Sequence, residues 1–115
     1  MNAFRYIMMI VIVLMLAITP AHGTNSKSNN DWRDTCAAMQ RLAKSIMTAR
    51  QNGFAMSDMM SKSDASGDAI VKKLDESLII YAYSLPRYST NEMQQKSIED
   101  FGNDTYLQCA KQHMK

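Results

Sequence analysis

The chain has 115 residues, with 13 Lys+Arg against 11 Asp+Glu, a formal net charge of +2 and two cysteines. That length holds one small domain. So slight a charge excess excludes the basic footprint of a nucleic-acid binder and of a polybasic membrane-surface protein.

The first segment has three parts. Met1 to Tyr6 carries one basic residue, Arg5, and no acid; Ile7 to Ile18 is an unbroken apolar run; Thr19-Pro20-Ala21-His22-Gly23 follows, with small residues at Ala21 and Gly23. This order predicts a cleavable secretory signal peptide over residues 1–23, cut after Gly23. The run has about a dozen apolar residues where a spanning helix needs about 20, so no stable membrane anchor is expected after cleavage. An exported address, periplasmic or secreted, is the expectation. Residues 24–30, TNSKSNN, are polar throughout and read as a disordered arm.

A single helical domain is expected over residues 31–115. Asp31 can cap a first helix, and Trp32, Cys36, Met39, Ala43, Ile46 and Met47 recur at spacings of three and four, opposite Arg33, Gln40, Arg41 and Lys44. Gly53 offers a left-handed stop. Phe54 to Met60 is a short apolar segment in which Ser57 could cap one or two helical turns, and residues 61–68 read as a polar turn. A third helix should run from about Asp68 to Ser84. Ile70, Val71, Leu74, Leu78, Tyr81, Ala82 and Leu85 form its stripe, and Ile79 with Ile80 broadens it towards a well-buried helix. Pro86 stops it. Ser89-Thr90-Asn91-Glu92 matches a capping box for a fourth helix running towards His113, with a kink or break expected near Gly102-Asn103.

No segment alternates with period two. The fold class is therefore all-α: a small bundle of three main helices plus one short helix, closed by one disulfide. Cys36 and Cys109 are the only cysteines, and in an oxidising compartment an isolated pair most often bonds to itself. Closing a loop of about 70 residues is worth about 4 kcal/mol on the chain-entropy model.

Catalytic groupings are scarce. His113 is the only histidine beyond the leader, and a cation near a helix C-terminus explains it through the helix dipole. Asp75-Glu76 and Glu99-Asp100 read as solvated carboxylates. The Cys/His spacing matches no zinc motif, and no glycine-rich phosphate loop occurs. No enzyme activity, cofactor or metal is expected. Asn103-Asp104-Thr105 is a sequon placed inside a helix and reads as chance.

Two features suit a binding surface. Met56, Met59 and Met60 cluster in the short helix, where thioethers serve as core fillers, as adaptable contacts or, more remotely, as copper(I) ligands. Tyr83, Arg87 and Tyr88 lie at the third helix's end and in the loop beyond, and Tyr and Arg are common at interface hot spots. Arg87 could equally fold back onto a tyrosine ring.

Cys36, Ala49-Arg50-Gln51-x-Gly53, a Met-Ser-x-Met-Met run, Pro86-Arg87-Tyr88, Phe101 and Tyr106-x-x-Cys109 follow one another in this order. The order resembles a group of uncharacterised short exported helical proteins of proteobacteria and their phages, over most of the chain beyond the leader. That resemblance implies an address in the bacterial envelope and no particular activity. Periplasmic acid-stress chaperones of the HdeA type are similar in architecture alone, being small, helical and joined by one disulfide. The functional expectation is a non-enzymatic exported domain that binds another protein, as an inhibitor, an immunity factor or an envelope modulator. The alternative is an acid-stress chaperone of the HdeA kind.

Overall fold

A computed structural model describes residues 27–115, with side chains from Asp31 onwards. The expected signal segment, residues 1–23, lies outside the described residues. Among those described, four helices follow in order: α1 (Lys27–Gln51), α2 (Met56–Asp64), α3 (Ala69–Ser84) and α4 (Asn91–His113). No strand accompanies them among the described residues, so the fold is the all-α bundle expected. Among the described residues no helix is long and apolar enough to cross a membrane.

Helix α1 starts at Lys27, four residues ahead of Asp31, so residues 27–30 of the expected disordered arm belong to the helix. Asp31 therefore lies inside the helix and caps nothing; its carbonyl accepts the Thr35 hydroxyl at 2.9 Å. The other end stops where the sequence says it should. Gly53 has φ +84°, its N–H donates to the Arg50 carbonyl at 3.1 Å, and the Phe54 N–H donates to the Ala49 carbonyl at 3.1 Å. These two bonds make a Schellman motif, in which the residue after the cap must be left-handed.

Helix α2 is longer than expected and is not capped by Ser57. Its cap position is Ala55, with no side-chain bond. Ser57 sits inside the helix, where its carbonyl accepts the Ser61 hydroxyl at 3.0 Å. Ser61 thus satisfies itself on a helical carbonyl, and buried Ser63 donates to the Lys72 carbonyl of α3 at 3.3 Å.

Asp68 caps α3, accepting from the backbone N–H of Ile70 at 2.8 Å and of Val71 at 3.1 Å, and the helix ends at Ser84 before Pro86. It is less buried than its composition suggests. Leu78, Ile79 and Ala82 face the core. Ile70 is 82% exposed, Ile80 55% and Tyr81 49%, and Val71 is also exposed. The apolar band of α3 is simply wider than the face that finds a neighbour.

In α4 the cap is Thr90, one residue later than the box predicted; its hydroxyl accepts from the Met93 N–H at 3.3 Å. The helix then runs unbroken to His113, with no interruption at Gly102. Gly102 is buried, and a Cβ built there would lie 2.5 Å from Lys44 Cγ and 2.9 Å from Lys44 Cδ. The glycine lets α1 and α4 approach closely. Gln40 and Lys44, expected on the solvent face of α1, lie at this seam: Gln40 Nε2 donates to Asn103 Oδ1 at 3.0 Å, and Lys44 Nζ pairs with Glu99 at 2.6 Å.

Ala43, Ile46, Met47, Leu78, Ile79, Ala82, Ile98 and Phe101 form the core, with Leu42, Met59, Met60, Leu74, Tyr83 and Leu85 packed against it. Cys36 and Cys109 are bonded to each other with Cα atoms 5.5 Å apart, tying α1 to α4.

Candidate functional site

The bundle presents two surfaces at opposite ends of α1. At the Gln51 end the Tyr/Arg loop folds onto the end of α1. Gln51 is 1% exposed. Its Nε2 donates to the Pro86 carbonyl at 3.0 Å and to Ser97 Oγ at 3.4 Å, and its Oε1 accepts the Tyr88 N–H at 2.9 Å. Arg87 Nε donates to the Gln51 carbonyl at 2.9 Å. Its guanidinium lies against Gly53, where an added Cβ would sit 3.1 Å from Cζ. Arg87 therefore folds back onto the C-terminal carbonyls of α1, which suits its charge. The arginine at a tyrosine ring is Arg50, 5.1 Å from the Tyr83 centroid. The Tyr83 hydroxyl donates to the Phe54 carbonyl at 2.6 Å. Burial pushes the Tyr83 phenol up in pKa; Arg50 opposes that shift and Asp58 adds to it.

The two features singled out by sequence thus meet at one corner, because Tyr83 and Arg87 grip Phe54 and Gly53, just ahead of Met56. The Tyr83 hydroxyl and Arg87 Nε are each committed to a carbonyl inside the molecule, while the rest of the Arg87 guanidinium makes no hydrogen bond among the described residues. Met59 and Met60 pack against the core, while Met56 and Arg87 keep exposed surface and Tyr88 is partly buried. Gln51, the residue that organises this corner, was not legible: a polar residue at a helix end reads as surface.

The other end is open. A groove of about 540 Å³ runs between α1, α3 and α4, lined by Thr35 and Met39 of α1, Leu78 and Tyr81 of α3, and Thr105 and Cys109 of α4. Its α4 rim carries Asp104, Gln108 and Gln112, one turn apart, and His113. Tyr81 leans on Phe101 with ring centroids 5.3 Å apart, which holds the α3 wall in place. At the groove's end Trp32 stacks on His113, centroids 5.4 Å apart, and Arg33 lies over the Trp32 ring at 5.2 Å.

Chemically, the groove offers an apolar floor, one carboxylate and one imidazole. The paired acids lie elsewhere. Glu99 pairs with Lys44, Asp100 with Lys96, and Glu76 approaches Lys72 at 3.8 Å. Asp75 departs from the solvated reading: its Oδ1 is buried without a hydrogen-bond partner, and burial raises the carboxyl's pKa. One grouping was missed in sequence. Cys109 and His113 are i,i+4 partners on α4, and Cys36 faces them from α1; the three potential ligand atoms lie within 4.8 Å of one another. The i,i+4 spacing was visible, but assigning Cys109 to a disulfide hid it.

Compared with family models, curated proteins and solved structures, the chain matches none.

Proposed function

We propose that this is a non-enzymatic exported domain that binds another protein through the groove between α1, α3 and α4. The carrying observation is the groove itself, whose apolar floor continues into exposed apolar residues of α3. Tyr81 lies at its wall, and Ile70 and Ile80 extend the same helix's uncovered side. A volume of about 540 Å³ falls within the range of specific binding clefts, roughly 300–1,000 Å³. The regular row of Asp104, Gln108 and Gln112 gives one wall repeated hydrogen-bonding groups one turn apart. That combination suits an amphipathic segment of a partner, with apolar side chains on Met39 and Leu78 and a polar flank along α4. The resemblance to short exported proteins adds an envelope address, where inhibitors, immunity factors and envelope modulators work.

The test compares the oxidised protein with a Gln108→Trp variant, which fills the groove from its rim, as baits for envelope proteins. A partner held by the parent and released by Q108W supports the reading. Identical retention on both baits overturns the groove as the binding surface.

A second reading, the acid-stress chaperone, has one observation in its favour. Lys44–Glu99 joins α1 to α4, and Lys72–Asp64 at 3.0 Å joins α2 to α3. Protonating these carboxylates removes both clasps, although such exposed pairs are each worth only about 0–1 kcal/mol. Light scattering of a client protein at acid pH decides it: unchanged client aggregation in the domain's presence removes this reading.

A further inference from the structure

Beyond the protein-binding reading and independently of it, we infer that Cys36, Cys109 and His113 form a redox-gated site for a thiophilic divalent cation of the zinc type. Two of the donors come from one face of α4 at i,i+4, the spacing at which helical side chains meet. The third comes from α1 across the seam. Their donor atoms lie within 4.8 Å of one another. A tetrahedral zinc with Zn–S of about 2.3 Å and Zn–N of about 2.0–2.1 Å places donor atoms roughly 3.5–3.8 Å apart. The cysteine Cα atoms are 5.5 Å apart, and rotation about the Cα–Cβ bonds opens the two sulfurs from bonding contact towards that separation. His113 is held ready, because Trp32 stacks on its ring at 5.4 Å.

Access and charge both favour a divalent ion. Cys109 and His113 line the open groove, which gives a cation a route to otherwise buried sulfur. Met39 and Asp104 line the same groove and, with water, are the candidates for a fourth ligand. Two thiolates and a neutral imidazole carry two negative charges, which one divalent cation neutralises. A monovalent ion would leave a net negative charge beside fully buried Cys36, and an uncompensated buried charge is costly.

The site and the disulfide exclude each other. A dithiol reductant delivers two electrons and two protons to the S–S bond and becomes a disulfide itself. Two protein thiols result, and metal binding releases both thiol protons to solvent. A disulfide oxidant reverses the sequence: the two thiolates lose two electrons, the S–S bond forms again, and the cation leaves for want of its sulfur ligands. Oxidised protein is metal-free at this site; reduced protein holds one ion.

The test uses the chain reduced with a phosphine, freed of excess reductant without oxygen, and titrated with cobalt(II) as a spectroscopic stand-in for zinc. Expected are a thiolate-to-cobalt charge-transfer band and tetrahedral ligand-field bands that saturate at one ion per chain, disappear on adding zinc, and are missing from the oxidised protein. His113→Ala keeps the disulfide of the oxidised form and should weaken zinc binding to the reduced form at least about tenfold, the loss that even an outer-shell change brings. Circular dichroism covers the case in which the reduced chain unfolds: zinc should then restore its helicity, less well in H113A. Reduced protein that gives no charge-transfer band and gains no helix with zinc overturns the site. So does an H113A variant with the parent's affinity, since two thiols alone would then account for binding.

Discussion

Helix α1 is fastened by different means at its C-terminal end and around Cys36, nine residues in from its start. At one end Gln51 bonds to the loop before α4 and to α4 itself, gathering Pro86, Tyr88 and Ser97 around one buried amide. At the other point, a single covalent bond between Cys36 and Cys109 joins the same two helices. The noncovalent closure needs many groups. It draws Arg87 Nε, the Tyr83 hydroxyl and the backbone of Tyr88 inwards, so that these groups serve the fold first. The covalent closure needs no such support, and beside it the bundle keeps an open groove. A loop whose composition resembles an interface is thus a clasp, and the plainer end is the more available one.

The largest effect should come from breaking the covalent end. A Cys36→Ala, Cys109→Ala double variant is expected to lose about 2–5 kcal/mol, the usual range for a small secreted domain. Its melting point should fall by about 10 °C or more, and reduction of the parent in the absence of metal should match it. A double variant melting within a few degrees of the parent would mean that helix packing alone carries the fold.

Gln51→Ala attacks the other closure. It leaves the Tyr88 N–H and the Pro86 carbonyl without partners and opens a cavity, so about 2–3 kcal/mol should be lost. The two closures, at Cys36 and Gln51, lie about 22 Å apart along α1. Combining Q51A with the cysteine replacements should therefore give losses that add within about 0.5 kcal/mol. Strong non-additivity in denaturant titrations would show that the closures are one cooperative unit and not two.

Between the ends, Gly102→Ala sharpens the account of the α1–α4 seam. Alanine is favoured over glycine inside a helix by about 1 kcal/mol, but here its methyl meets Lys44 Cγ and Cδ. In the parent the clash should cancel or outweigh that gain. In a Lys44→Ala background, with the obstructing chain gone, the same change should stabilise by about 1 kcal/mol. A glycine retained only to bend the helix would respond alike in both backgrounds.

The smallest effect concerns Asp75. Burial raises its carboxyl pKa above the ordinary value, so the folded state takes up a proton more readily than the unfolded chain. The ionised form is therefore a penalty on folding above the folded pKa, relieved as pH falls and gone below the unfolded pKa. Asp75→Asn should stabilise the protein at pH 7 and make no difference once both states are protonated. Urea titrations at neutral and acid pH check the sign; a D75N variant that is weaker at pH 7 would refute burial as the cause.

Much of the fold was legible because its punctuation is local. Gly53 stops α1, Asp68 starts α3 and Pro86 ends it, each through backbone constraints that neighbours barely alter. The bridge was legible from the count of two cysteines and the expected compartment. Some misreadings were local, such as the cap positions at Asp31, Ser57 and Ser89, but the larger ones depend on distant parts of the chain. Whether Gly102 bends α4 or admits Lys44 is decided on α1. Whether Ile80 is core or surface depends on how wide a face its neighbours cover. Gln51 became buried because a loop some 35 residues later closed over it. The sequence brought Tyr83, Arg87 and Tyr88 to notice, and they do share one corner, where each makes a bond within the chain; the groove comes from three helices whose separate patterns do not announce it.

The placement of the bridge also decides how the molecule bears load. Tension applied to the backbone ahead of Cys36 and beyond Cys109 crosses directly from one sulfur to the other. The chain between them, which holds the whole core, lies outside the line of force. An unfoldase that grips the tail and pulls would draw out the last turn of α4 and then stall against a covalent stop, until a reductant opened it.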